Sequence, residues 1–162
     1  MISILDEAKL RLQKDFISPS HEWDYLESLI KKSESERLLL LQWVFEKSPA
    51  YWDTRARAGM ILFQENEIET WQIIGKLVTS ADPDDNGTAL TIFERTGDPR
   101  GLELAQDWLN DGVHLATQVE AINFLKNIYP DRVWSRVQAL SNHEDPNYRK
   151  TAKKLADELK AS

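Results

Sequence analysis

The run Asp82-Pro83-Asp84-Asp85-Asn86-Gly87 carries oxygen ligands at a spacing that calcium sites use. Acids or an amide at positions 1, 3 and 5, with glycine at 6, open a calcium-binding loop whose twelfth position supplies a bidentate carboxylate. That position is Phe93 here, and Glu94 follows one residue too late. Because Asp-Pro also begins helices well, we predict a capped helix with an acidic surface and no metal site.

Residue types that perform catalysis are present, but not at the spacings that catalysis needs. The three histidines are His21, His114 and His143. None has a second histidine three or four residues away, so no zinc motif is formed. The chain has no Gly-x-Ser-x-Gly elbow and no glycine-rich phosphate loop. Neighbouring carboxylates such as Asp84 and Asp85 would need a buried cleft to separate their pKa values. We therefore predict no catalytic residue, no metal and no cofactor, and expect that the chain is not an enzyme.

The chain has six tryptophans, and most of them fall on apolar helical stripes, which predicts core positions. Trp52 and Trp108 differ, because acidic residues stand close to each of them in the sequence. An aromatic side chain among acids has the composition of an interface hot spot for a basic partner.

Negative charge is concentrated in the middle of a chain whose net charge is −7. Residues 65 to 111 hold eleven acidic and three basic residues, whereas the rest holds sixteen acidic and seventeen basic residues. Such a block repels phosphate backbones and attracts cationic surfaces, so we expect a basic protein partner and no nucleic acid. The predicted partner-binding residues are Trp52, Glu65, Glu67, Glu69, Asp82, Asp84, Asp85, Asp107, Trp108 and Asp111.

Length and composition set the class of protein. A chain of 162 residues is expected to form a single domain over 1–162. It has no cysteine, which excludes disulfides and thiolate chemistry and suits a reducing cytoplasm. The longest apolar run, residues 38–41, is far too short to cross a bilayer, and no positive region precedes the first apolar residues. We predict a cytoplasmic protein without a membrane partner.

Apolar residues recur at helical spacing throughout, and no segment alternates as a strand does. The predicted helices are 2–16, 20–32, 33–47, 49–64, 66–79, 82–96, 98–110, 113–129, 130–140 and 145–160. Serine, asparagine or aspartate precedes most of them, often with proline next, and Gly97 and Gly112 close two of them. Short connections predict antiparallel neighbours in an all-α fold of about ten helices.

Four alanines recur at nearly constant spacing: Ala58, Ala89, Ala121 and Ala152. They are 31, 32 and 31 residues apart, and an apolar pair follows each one three and four residues later. Periods of 20 to 50 residues are typical of stacked helical repeats. A small residue lets two helices cross closely, so we predict that each alanine lies at such a crossing.

This pattern, together with the helix start Asp145-Pro146-Asn147-Tyr148-Arg149, resembles HEAT-type α-solenoid repeats over about residues 20–160. The resemblance implies a curved, right-handed stack of antiparallel helix pairs with a concave binding face. Gly87 departs from the pattern, as does the first helix pair, where Leu26 or Glu27 replaces the alanine. The alternative is an irregular helical bundle.

These observations favour a non-enzymatic protein-binding module. The most concrete expectation is a bacterial immunity protein that covers a basic toxin nuclease, because a nuclease is basic where it grips its substrate. Two alternatives stay open. One is a HEAT-like scaffold or adaptor, and the other is an enzyme on a helical-repeat fold, such as a DNA glycosylase-like enzyme or a lyase.

Overall fold

The computed structural model describes residues 1–12 and 16–161, and this part of the chain contains ten α-helices and no strand. The helices are α1 (Ile4–Arg11), α2 (Pro19–Lys32), α3 (Arg37–Lys47), α4 (Trp52–Glu65), α5 (Glu67–Thr79), α6 (Pro83–Thr96), α7 (Arg100–Asp107), α8 (Leu115–Leu125), α9 (Pro130–Ser141) and α10 (Pro146–Ala161). The predicted all-α class with ten helices is confirmed. The first predicted helix, 2–16, includes residues 13–15, which lie outside the described residues.

Local capping explains several helix starts. Ser18, rather than the expected Ser20, caps α2, because Pro19 takes the first helical position and the Ser18 hydroxyl accepts the backbone N–H of His21. Asn66 caps α5 as predicted, since its side chain accepts the N–H of Glu69 at 3.2 Å.

Long-range contacts shift two other starts. The helix predicted from Ser33 begins as a 3-10 turn, and α3 follows only at Arg37. Ser33 makes no side-chain cap bond, and the carboxylate of Glu36 accepts the backbone N–H of Ile4 at 2.8 Å. The helix expected from Pro49 begins at Trp52, because Tyr51 before it has a non-helical backbone, with φ −57° and ψ 149°.

Helix ends depend on backbone conformation. Gly97 closes α6 with a φ of 68°, as predicted from its position after the last periodic residue. Gly112 was expected to close a helix over 98–110 in the same way, but it has no positive φ and α7 ends earlier, at Asp107.

The packing divides the chain into two compact units, Met1–Arg95 and Thr96–Ser162. In the first unit α4 packs against α2, α3 and α5, while α1 packs against α2 and α3. In the second unit α8 packs against α7 and α9, and α10 packs against α9. The single domain over 1–162 stays a prediction. No described helix combines the length and apolarity needed to cross a bilayer.

All four recurring alanines are completely buried, each with 0% of its surface exposed. Next to Ala58, Gly59 marks a close helix approach. A Cβ built at Gly59 would lie 2.7 Å from a ring carbon of Phe45 on α3 and 2.8 Å from Cδ1 of Ile92 on α6. Small residues therefore permit the contacts of α4 with these helices. That the alanines belong to HEAT-type repeats stays a prediction.

Candidate partner-binding site

The tryptophan at the start of α4 meets the acids at the start of α6. The indole Nε1 of Trp52 donates a hydrogen bond to Oδ1 of Asp84 at 2.8 Å. The six-membered ring of Trp52 lies directly against Gly87, where an added Cβ would come within 2.6–2.7 Å of three ring carbons. Gly87 departs from the repeat pattern in the sequence, and the structure supplies a reason: only glycine lets the indole come this close.

Asp85, the neighbour of Asp84, is part of the internal framework. Arg55 is 3% exposed, and its Nη2 lies 2.7 Å from Oδ1 of Asp85. Arg55 also donates to the backbone carbonyls of Phe45 and Glu46, at 3.1 and 3.0 Å. The other oxygen of Asp85 accepts the hydroxyl of Ser80 at 2.6 Å. This network ties the end of α3 and the start of α6 to α4, so Asp85 offers little to a partner.

A cleft of about 500 Å³ opens beside Trp52 in the first unit. It is lined by Leu12, Phe16, Pro19, Glu22, Pro49, Ala50, Tyr51, Trp52, Asp53 and Asp84. These side chains include three aromatic rings and three carboxylates, and no described lining residue is basic. We refer to it as the aromatic–acidic cleft. Its size lies within the range of about 300–1,000 Å³ that is usual for ligand sites.

Glu22 is the most buried acid of the cleft, with 3% of its surface exposed, whereas Asp53 and Asp84 are exposed. Its Oε1 accepts the backbone N–H of Tyr51, the residue before α4, at 3.0 Å. Burial raises the pKa of Glu22, while hydrogen bonds from the Thr54 side chain and the Tyr51 backbone act in the opposite direction. Sequence reasoning missed Glu22, although its spacing from Leu26 and Leu29 places it on the buried face of α2.

The cleft walls are fixed by further contacts. The hydroxyl of Tyr51 donates to the backbone carbonyl of Phe16 at 2.6 Å. Asp53 forms an ion pair with Arg95 at 2.9 Å, so its charge is partly compensated. Asp84 is exposed and forms no ion pair within the described residues. Within residues 1–12 and 16–161, Asp84 and Glu22 are therefore the cleft carboxylates without an ion pair.

The acids at the start of α5 form a separate group. Glu65 pairs with Arg37, whereas Glu67 and Glu69 are exposed and have no ion pair in the described part of the chain. Since α5 is 13 residues long, its start lies about 20 Å from its other end, which leads into α6. The acidic block of the sequence is thus divided in space, and Asp82, which is exposed, belongs to the α6 end.

In the second unit, Trp108 is 9% exposed and belongs to the interior, so it presents little surface to a partner. Asp111 is exposed and pairs with Nη2 of Arg136 at 2.6 Å. That guanidinium hydrogen bond and its charge hold the pKa of Asp111 below its usual value, and Arg136 is anchored by the buried Gln118 at 2.8 Å. Asp107 is exposed.

The run 82–87 has the geometry of a helix start. Asn86 is buried, and its amide donates to the backbone carbonyls of Leu77 and Ser80 at 2.9 and 3.1 Å. Because Asp85 is turned toward Arg55, the oxygens of the run do not converge on one point. Across residues 1–12 and 16–161, no group of three or more histidine, aspartate or glutamate side chains is arranged to hold a metal ion.

Comparison with protein-family models, curated proteins and solved structures found no match to this chain.

Proposed function

We propose that this chain is a non-enzymatic, cytoplasmic module that binds a basic protein. In its most concrete form it is a bacterial immunity protein that neutralises a toxin nuclease by direct contact. The observation that supports this most strongly is the aromatic–acidic cleft, whose lining combines three aromatic rings with three carboxylates and no described basic residue. Aromatic faces and carboxylates together attract cationic side chains.

The charge of the first unit supports the same proposal. Residues 1–95 hold seventeen acidic and eleven basic residues, a net charge of −6. Five of those bases are already engaged in ion pairs within the described part of this unit. Exposed acids without such a pair stand at both ends of α5, namely Glu67, Glu69, Asp82 and Asp84. A surface of this kind steers a cationic protein toward itself and speeds association.

A nuclease is a fitting target because its substrate-binding surface must be cationic to grip a phosphate backbone. An acidic protein bound there blocks the substrate without any chemistry of its own. The ion pair between the buried Arg55 and the partly exposed Asp85 holds the start of α6 on α4, so Asp84 and Trp52 have fixed positions before a partner binds. Side chains that are already held in position lose less conformational entropy when a partner binds.

The proposal is tested by purifying the tagged chain with its bound protein from a native lysate at low and high salt. We expect one stoichiometric, basic partner that is lost at high salt because screening weakens the charge interaction. The partner is then purified, and its nuclease activity is measured as the chain is added. Inhibition that is complete at a one-to-one ratio supports the proposal.

Other outcomes of that purification count against it. Several unrelated partners, or one acidic partner that survives high salt, favour the scaffold or adaptor alternative. A basic partner whose nuclease activity is unchanged contradicts the immunity role. If no protein partner is recovered, an enzymatic role becomes the better explanation.

A further inference from the structure

Glu22 is a buried carboxylate with no cationic partner among the described residues. In the described part of the chain, its hydrogen-bond partners are the backbone N–H of Tyr51 and the side chain of Thr54. Burying a carboxylate is unfavourable unless hydrogen bonds and a counter-charge compensate for lost hydration. Because Glu22 lines the aromatic–acidic cleft, a ligand that enters the cleft can supply that charge.

We propose that the aromatic–acidic cleft takes the guanidinium group of an arginine side chain, held by the carboxylates of Glu22 and Asp84 and by the ring of Trp52. The source of the arginine, a basic protein partner, rests on the proposed function above. The preference of the cleft for guanidinium rests on its own residues.

Guanidinium suits these walls better than ammonium does. It is planar, stacks on aromatic faces and presents five N–H donors that match carboxylate oxygens. A lysine ammonium is a compact, strongly hydrated charge that gains less from an indole face. The cleft of about 500 Å³ exceeds the volume of one side chain, so it also has room for the residues that flank the arginine in a partner loop.

The recognition elements are already in place before a ligand arrives. The hydrogen bond to Asp84 and the contact with Gly87 orient Trp52. Tyr51 is fixed by its N–H to Glu22 and by its hydroxyl to the carbonyl of Phe16. Because few side chains need to be ordered on binding, little entropy is lost.

The test uses Nα-acetyl-arginine methylamide as a probe, titrated into the full ¹⁵N-labelled chain. The readout is the indole N–H resonance of Trp52, identified among the tryptophans with a Trp52→Phe variant. We expect a saturable shift, with a dissociation constant on the order of 1 mM for a single side chain. The matching lysine compound is expected to bind more weakly, and the uncharged norleucine compound to give no saturable shift.

Two nearly isosteric variants separate charge from shape. Asp84→Asn keeps an acceptor for the Trp52 indole but removes the charge, and Glu22→Gln does the same for the N–H of Tyr51. Each is expected to weaken binding of the arginine probe about tenfold. Asp24→Asn is the matched control, since Asp24 is exposed on α2 and lies two residues from Glu22, on a different helix face. It is expected to bind as the unmodified chain does.

The inference is overturned if the arginine probe gives no saturable shift at Trp52. Equal binding of the norleucine compound overturns it too, as does unchanged binding by correctly folded Asp84→Asn and Glu22→Gln variants. If the arginine probe does not bind but the chain still inhibits a basic partner, the guanidinium site is wrong and the proposed function stands. If the probe binds as expected and no basic partner exists, the guanidinium site stands and the proposed function fails.

Discussion

Gly87 and Gly75 offer a matched pair of glycine-to-alanine changes inside helices. At Gly75, on the exposed face of α5, an added Cβ meets no atom within 4 Å. Alanine there gains helix propensity and should stabilise the fold by about 1 kcal/mol. At Gly87, alanine would gain the same helix propensity but would also clash, because its Cβ would lie 2.6–2.7 Å from carbons of the Trp52 ring. Overpacking of this kind costs about 1–3 kcal/mol.

Gly87→Ala should therefore be about 1–3 kcal/mol less stable than Gly75→Ala, with the difference assigned to Trp52. The assay is urea unfolding of both variants, followed by far-UV circular dichroism. The indole N–H resonance of Trp52 should also move in Gly87→Ala alone, since a displaced ring loses its bond to Asp84. If the two variants are equally stabilised and both leave that resonance unchanged, the close contact between Trp52 and Gly87 is refuted.

Three further changes test other contacts. Asp85→Ala leaves the guanidinium of Arg55 buried without its counter-charge and should lower the free energy of unfolding by about 3 kcal/mol in urea titrations. Glu22 has a pKa raised above 4.5, so its native form binds a proton more tightly than the unfolded chain, and stability falls as pH rises from 4.5 through the raised value. Glu22→Gln should remove that fall, which unfolding at about pH 4 and about pH 7 measures. Asp111 has a pKa held below 3.8, so its pairing with Arg136 stabilises the fold above 3.8 and is lost as pH falls through the lower value. In Asp111→Asn this acid-dependent loss should be smaller in thermal unfolding scans between about pH 5 and pH 2.

Local signals in the sequence predict the helices well. Apolar periodicity and caps such as Asn66 act within one or two helical turns, so they can be recognised without a structure. The start of α4 was misplaced because it depends on Glu22, 29 residues before Tyr51. A contact across that distance has no signature in the spacing of residues.

The sequence indicated some residues of the candidate site but not the long-range contacts between them. Trp52 and Asp84 were both expected at a binding surface, and the structure brings them together across 32 residues. Asp85 was expected at the same surface, but it forms an ion pair with the buried Arg55. No local sequence pattern predicts that ion pair. Trp108 has acids close by in sequence, yet helix geometry can point neighbouring side chains in different directions, and Trp108 is buried.

The most direct test of the proposed binding of a basic protein is the rate constant with which the purified partner associates with this chain at low and high salt. It is measured for the native chain, for Asp82→Lys/Asp84→Lys, and for the control Asp24→Lys/Asp157→Lys, whose exposed acids make the same charge change. We predict that association of the native chain slows steeply with salt. At low salt, Asp82→Lys/Asp84→Lys should associate at least about tenfold more slowly, and the control far less so. An association rate that is indifferent to salt and equal in all three proteins would contradict the account.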